Sequence, residues 1–178
     1  MTSLYRMFYE HWRANNKEAF EPFLTRALAD LLQRIEHSSP ELTKQFVLQT
    51  LLGPSRRTCG AQALERWNQF HSTLTAKTSI LAWSAEVPLS GPDGKRRVDI
   101  YGSLNNSPCV IIENKVGAAF TEKQLNAYGT WLEANARPVG ALVLLTQSTP
   151  PPDDFLGSGA EYGWHSELYV LGYRFTNG

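Results

Sequence analysis

The chain has 178 residues, and 17 Lys and Arg balance 17 Asp and Glu, so its formal net charge is zero. That balance excludes a protein that coats nucleic acid through bulk positive charge, while 42% apolar residues suffice for a sizeable core. No apolar run reaches bilayer-spanning length and the start, Met1 to Arg6, lacks a secretory pattern, so no membrane partner and a cytoplasmic setting are expected. Cys59 and Cys109 are the only cysteines. Cys109 sits in an apolar run and reads as a buried free thiol rather than half of a disulfide.

The N-terminal third is helical in pattern. From Phe20, the apolar residues Phe23, Leu24, Ala27, Leu28, Leu31 and Ile35 recur at helical spacing. Pro22 suits a first turn, which sets Glu21 at the helix start. A second helix is expected from Ser39-Pro40 to about Leu52, stopped by Gly53-Pro54-Ser55, and a third over Ala61 to Phe70. The period then changes. Ile80 to Pro88 reads as a strand, Gly91-Pro92-Asp93-Gly94 as a turn, Arg96 to Tyr101 as a second strand, and Asn105-Asn106-Ser107-Pro108 as another turn. Cys109 to Val116 is the third strand, apolar on both faces at its start, as in a sheet interior.

Thr121 to Ala134 reads as a helix with Thr121 and Gln124 as a capping box and Leu125, Tyr128 and Leu132 as its buried stripe. Val139 to Leu145 is a short strand, and strand-helix-strand order implies a right-handed crossover and a parallel pair. After Thr146 the chain is loop-rich through Pro150-Pro151-Pro152, with a candidate last strand over Glu167 to Tyr173 and an abrupt end at Gly178 of the kind a shortened chain has. The expectation is one α/β domain over 1–178: a three-layer α/β/α sandwich with a mixed central sheet, an αβββαβ core at about 20–146, and a loop-rich end over 147–178.

The chemistry concentrates on the second and third strands. Alternation puts Glu113 and Lys115 on one face of the third strand. If the turn centres near Asn105, Asp99 pairs near Ile111, with Glu113 its diagonal neighbour at roughly 7–8 Å between backbones. Carboxylates are the hard oxygen donors that Mg²⁺ prefers, and the main-chain carbonyl of Asn114 offers another. Lys115 could position or help deprotonate an attacking water and offset charge on a phosphate. The same three side chains would equally make a surface ion-pair patch. Lys95, Arg96 and Arg97 form a small basic cluster able to touch phosphates, or simply a solvated face.

Asp99 followed at a hairpin's length by Glu113-Asn114-Lys115 resembles the D…(D/E)-x-K signature of the PD-(D/E)XK nuclease superfamily. Phe20-Glu21-Pro22-Phe23-Leu24-Thr25 resembles the acidic helix opening of many members, and Glu86 falls on the strand before Asp99. Gln124-Leu125-Asn126-Ala127-Tyr128 resembles the Q-x-x-x-Y helix of several branches. Val98 stands where the name-giving proline would be. The literal pairs Pro92-Asp93 and Pro152-Asp153 fall in a turn and after a triple proline.

The resemblance implies a metal-dependent phosphodiesterase acting on nucleic acid, DNA before RNA, in defence, restriction or repair. Asp99, Glu113 and the Asn114 carbonyl would bind Mg²⁺ or Mn²⁺, with Glu21 and Glu86 as further acidic contacts. Lys115 would assist the water, and Gln124 and Tyr128 would shape the site wall or touch substrate. Each accessory residue also has a plain structural role: Glu21 at a helix dipole, Glu86 facing solvent, Gln124 in the capping box, Tyr128 in the core. A homodimer or an additional domain is compatible with this reading. The competing reading is a nuclease-fold module that binds nucleic acid or protein without cutting.

Overall fold

The computed structural model describes residues 20–51, 61–91, 94–115, 121–136, 139–146 and 170–177. The stripe beginning at Phe23 folds as α1 (Phe20–Ser38), followed by α2 (Pro40–Gln45) and α3 (Ala61–Thr75). Between α2 and α3, Phe46–Leu51 continue as a π-helical segment where an α-helix was expected, and Val47, Leu48 and Leu51 are buried there. The strands are β1 (Leu81–Gly91), β2 (Gly94–Leu104), β3 (Ser107–Lys115), β4 (Val139–Thr146) and β5 (Val170–Asn177), with α4 (Glu122–Asn135) between β3 and β4. They form one five-stranded sheet in the order β1-β2-β3-β4-β5. Only the β3–β4 pair is parallel, as the intervening helix requires.

Helices cover both faces. On one, α1, the π-helical segment and α3 pack Leu32, Val47, Phe70 and Leu74 against Trp83, Ile100, Val110, Ile112, Ala141 and Val143. On the other, α4 packs Leu125, Tyr128 and Leu132 against Val98, Ile111, Leu142 and Leu144. Alternation along β3 and β4 divides their side chains between the two cores, which is why both strands read as unbroken apolar runs. The chain is thus the three-layer sandwich its pattern predicts. The last strand, expected over Glu167 to Tyr173, is β5 at Val170–Asn177 and joins the sheet antiparallel to β4, while 147–169 of the expected loop-rich end lie outside the described residues.

α1 lies along the outer edge of β1. Glu36 Oε1 accepts the Leu81 N–H at 3.2 Å, Gln33 Oε1 accepts the Trp83 N–H at 2.8 Å, and Arg26 Nε donates to Glu86 Oε2 at 2.6 Å. From Arg26 to Glu36 a helix climbs ~15 Å, and from Leu81 to Glu86 a strand climbs ~16 Å. Helix and strand therefore run antiparallel and in step, and α1 side chains take up edge amides that a neighbouring strand would otherwise bond.

The β1–β2 ribbon rolls over partway along. Leu81 and Trp83 face the α1 side while Leu89, of the same parity, faces α4; on β2, Ile100 and Val98 divide likewise. The ladder passes from Ala85↔Ile100 to Val87↔Val98, so Glu86 and Asp99 face each other at the roll. There Glu86 adopts φ 54°, the left-handed region that a residue with a Cβ rarely enters.

The β2–β3 register corrects the expected one. Asn105 and Asn106, at φ 50° and 68°, make a two-residue turn of the mirror-image type that suits a twisted hairpin, so Ser107 and Pro108 belong to β3 rather than to the turn. A register shift between Gly102 and Ser103 then sets Ile100 against Ile112 and Tyr101 against Ile111. Continuing that register, Asp99 stands across from Glu113 itself rather than diagonal to it. Gly102 is also where the Trp83 ring crosses β2: a Cβ built there would lie 2.8 Å from Trp83 Cζ3. Gly53-Pro54-Ser55, Pro92-Asp93, Val116, the triple proline and Gly178 lie outside the described residues.

Candidate active site

The site forms where the middle of β2 and the end of β3 meet the first turns of α1 and α4. Asp99 Oδ2 accepts the Asn114 N–H at 2.8 Å, fixing one carboxylate against the next strand's backbone. Glu113 is fully buried. Its Oε1 accepts from Gln124 Nε2 at 2.6 Å and from Lys115 Nζ at 2.8 Å. Its Oε2 is buried with no hydrogen-bond partner, an unusual state for a carboxylate oxygen.

Lys115 Nζ also donates to Glu21 Oε1 at 3.2 Å, which ties β3 to the start of α1. One turn along α1, Thr25 Oγ1 accepts from Asn114 Nδ2 at 3.4 Å. Glu113 and Lys115 share a β3 face, as alternation predicts, and Asn114 points to the opposite side toward Thr25. Glu21 reaches round to the lysine because α1 begins at the strand ends.

Gln124 does not complete the expected capping box. Thr121 is the extended N-cap of α4, but its side chain makes no cap hydrogen bond. Gln124 instead turns inward, giving Nε2 to Glu113 and, at 3.0 Å, to the Tyr128 hydroxyl, which donates to the Arg97 carbonyl at 2.8 Å. A polar chain thus runs from Glu113 through α4 to the backbone of β2. Tyr128 is buried in the α4 core and at the same time closes this chain.

Electrostatics follow from burial. Burial raises Glu113, joined by repulsion from Asp99 and opposed by Lys115, so it titrates at about 7. Burial likewise lifts Asp99 above its ordinary value, against the Asn114 hydrogen bond and the charge of Lys115. Burial alone would lower the Lys115 ammonium, but Glu113, Asp99 and Glu21 together hold it above its usual range. Lys115 is therefore a fixed cation. Burial beside Glu113 pushes the Tyr128 phenol up to about 12, so it remains a donor.

The other expected residues lie around this centre. Glu86, across from Asp99, has its carboxylate taken up by two arginines: Arg26 through Nε and Nη2 on Oε2, and Arg97 Nη1 at 3.5 Å from Oε1. Arg96 lines a groove of about 160 Å³ beside Leu89, Tyr128 and Trp131. For Lys95 only the backbone, paired with Ser90, is described. Sequence reasoning missed Thr25 and Arg26. The signal was available, since Thr25 is one helical turn past Glu21 and Arg26 follows it.

Among the described residues, no group of three or more His, Cys, Asp or Glu side chains is arranged to hold a metal ion. The donors on offer for a divalent ion are therefore Asp99, Glu113 and the Asn114 carbonyl. They fit Mg²⁺ or Mn²⁺: all are hard oxygens, few enough to leave room for water and substrate phosphate. The unpartnered Glu113 Oε2 is a buried acceptor that such an ion would satisfy.

A mixed sheet between helical layers, with two acids and a lysine on adjacent inner strands, defines a nuclease-type α/β fold. The family model of the PD-(D/E)XK nuclease superfamily matches residues 7–163, and the chain belongs to that superfamily. No curated protein and no solved structure matches it. No helix among the described residues is long and apolar enough to cross a membrane.

Proposed function

We propose that this chain is a single nuclease domain that hydrolyses phosphodiester bonds of nucleic acid, DNA in the first instance, with Mg²⁺ or Mn²⁺ in the cytoplasm. The observation that carries the reading is Glu113: a fully buried carboxylate with one oxygen held by Lys115 and Gln124 and the other left without a partner. Glu36 Oε2 is buried without a partner as well, so what sets Glu113 apart is that its open oxygen stands beside Asp99 and Lys115.

Asp99, Glu113 and the Asn114 carbonyl would hold the ion. When bound, it supplies a Lewis acid for a phosphate oxygen and lowers the pKa of a coordinated water. Lys115, pinned as an ammonium by its carboxylates, cannot take a proton in this arrangement. Its work is to donate to the attacking water or a non-bridging phosphate oxygen and so stabilise charge as the phosphorane develops. Gln124 fixes the Glu113 rotamer, and Tyr128 fixes Gln124. One such centre cuts one strand at a time, so double-strand cleavage calls on a second copy or an additional domain.

The test is cleavage of duplex DNA, single-stranded DNA and RNA with Mg²⁺, Mn²⁺ or EDTA, comparing the native chain with Asp99→Asn and Lys115→Ala. Metal-dependent cleavage lost in both variants supports the proposal. Nucleic-acid binding without cleavage under every condition replaces it with the binding-module reading.

A further inference from the structure

Four carboxylates meet at this end of the sheet, Glu21, Glu86, Asp99 and Glu113, against three cations, Lys115, Arg26 and Arg97. A polyanion approaching such a site needs positive charge at the rim, since Lys115 is already committed inside. Among the described residues, Arg26 and Arg97 are exposed cations that flank Glu86 at that rim. Their side chains are 67% and 66% exposed, while the Glu86 carboxylate between them is 17% exposed.

Neither arginine is placed at random. Arg26 directly follows Thr25, which bonds Asn114, and Arg97 stands two residues before Asp99 with its carbonyl held by the Tyr128 hydroxyl. Glu86 reaches both only because β1 rolls over at its φ of 54°. An exposed ion pair adds little stability, whereas a left-handed backbone at a residue with a Cβ is strained. Stability alone therefore does not account for a strained residue that gathers two exposed guanidinium groups beside a buried carboxylate pair.

We infer that Arg26 and Arg97 form a phosphate-binding pair that grips the backbone next to the bond to be cut, and that Glu86 is the positioning residue that holds the pair in place before substrate arrives. The inference rests on the nuclease reading and extends it to a substrate contact on α1 and a role for Glu86 other than metal binding. Planar guanidinium groups suit phosphate oxygens, each able to give two parallel hydrogen bonds. A phosphate entering between them exchanges one anionic partner for another, so the arginines need not move far.

The experiment uses the full chain and a fluorescein-labelled DNA strand, single and annealed. Cleavage kinetics are measured with Mg²⁺, and binding is followed by anisotropy across a salt series in an Asp99→Asn background. Arg26→Ala and Arg97→Ala should each raise KM roughly tenfold with a much smaller change in kcat, and each should reduce the slope of log Kd against log salt by about 1. Arg26→Lys should restore the salt slope but not the full affinity.

Glu86→Gln should raise KM while leaving the thermal stabilisation by Mg²⁺ or Mn²⁺ intact. Loss of that stabilisation in Glu86→Gln would make Glu86 a metal ligand and overturn its assignment. Unchanged KM and salt slope in both arginine variants of a protein that does cleave would overturn the phosphate pair alone. A native chain that neither cleaves nor binds would remove the nuclease reading beneath it.

Discussion

Replacing Glu113 with glutamine should stabilise the metal-free protein while abolishing its response to metal. In the fold this carboxyl titrates at about 7, against 4.5 when free. Between those values the folded chain keeps a proton that the unfolded chain has released. The group's contribution is thus full below pH 4.5 and lost as pH rises through about 7. Above that point the ionised side chain weighs against folding by ~3 kcal/mol.

The substituted amide keeps an acceptor for Gln124, but Lys115 loses one of its carboxylates, so the net gain near pH 8 is ~1–2 kcal/mol, or roughly 3–6 °C in melting temperature for a domain of this size. No gain is expected near pH 5, where the native group is already protonated. The assay is thermal melting in EDTA from pH 5 to 9, repeated with Mg²⁺ or Mn²⁺. The native chain should gain stability from the ion by mass action, reaching ~2.7 kcal/mol at a hundredfold excess over Kd, and Glu113→Gln should not. A variant that melts below the native protein at pH 8 in EDTA, or keeps the same pH slope, would refute this account of Glu113.

Gln124→Leu removes the donor that orients Glu113, and the concentration of Mn²⁺ needed for half-maximal cleavage should rise about 10–100-fold; an unchanged metal titration would show that Lys115 orients Glu113 unaided. Tyr128→Phe leaves the α4 packing in place but strips the Arg97 carbonyl of its donor. Chemical denaturation should show a loss of ~1–2 kcal/mol, and stability equal to the native protein would mean water replaces the hydroxyl. Gly102→Ala drives a Cβ to 2.8 Å from the Trp83 ring, so it should destabilise by ~1–3 kcal/mol and shift tryptophan fluorescence. An unaltered emission spectrum would show that the ring has room to withdraw.

What the sequence disclosed was governed by local rules. The periodicity of α1, the unbroken apolar runs of β3 and β4, and the shared face of Glu113 and Lys115 follow from 3.6-fold and two-fold repeats, and they put Asp99, Glu113 and Lys115 on adjacent strands, as the structure has them. The register of Asp99 was out by two positions, one because the turn centres between Asn105 and Asn106 and one because the ladder shifts between Gly102 and Ser103, where the Trp83 ring crosses β2. Gln124 was assigned to a cap because Thr-x-x-Gln is a local pattern, whereas its partners, Glu113 and Tyr128, come together only when α4 docks. The pairing of Arg26 carries no local signal, and its partner Glu86 comes within reach only once α1 lies beside β1. The roll at Glu86 has no glycine or proline at the position itself, and Pro88, two residues on, reads only as the close of a strand. Local patterns fixed which residues neighbour the chemistry, and tertiary contacts decided what each one does.

The way α1 occupies the outer side of β1 also bears on how copies of this protein can associate. A bare sheet border invites another chain to pair with it, by strand addition or by aggregation. Here the Leu81 and Trp83 amides are spoken for by Glu36 and Gln33, so an incoming strand would have to displace a helix to pair at that border. The opposite border of the sheet is β5, which pairs with β4 on its inner side. Glu36→Ala with Gln33→Ala should free the Leu81 and Trp83 amides and leave that border open to strand addition.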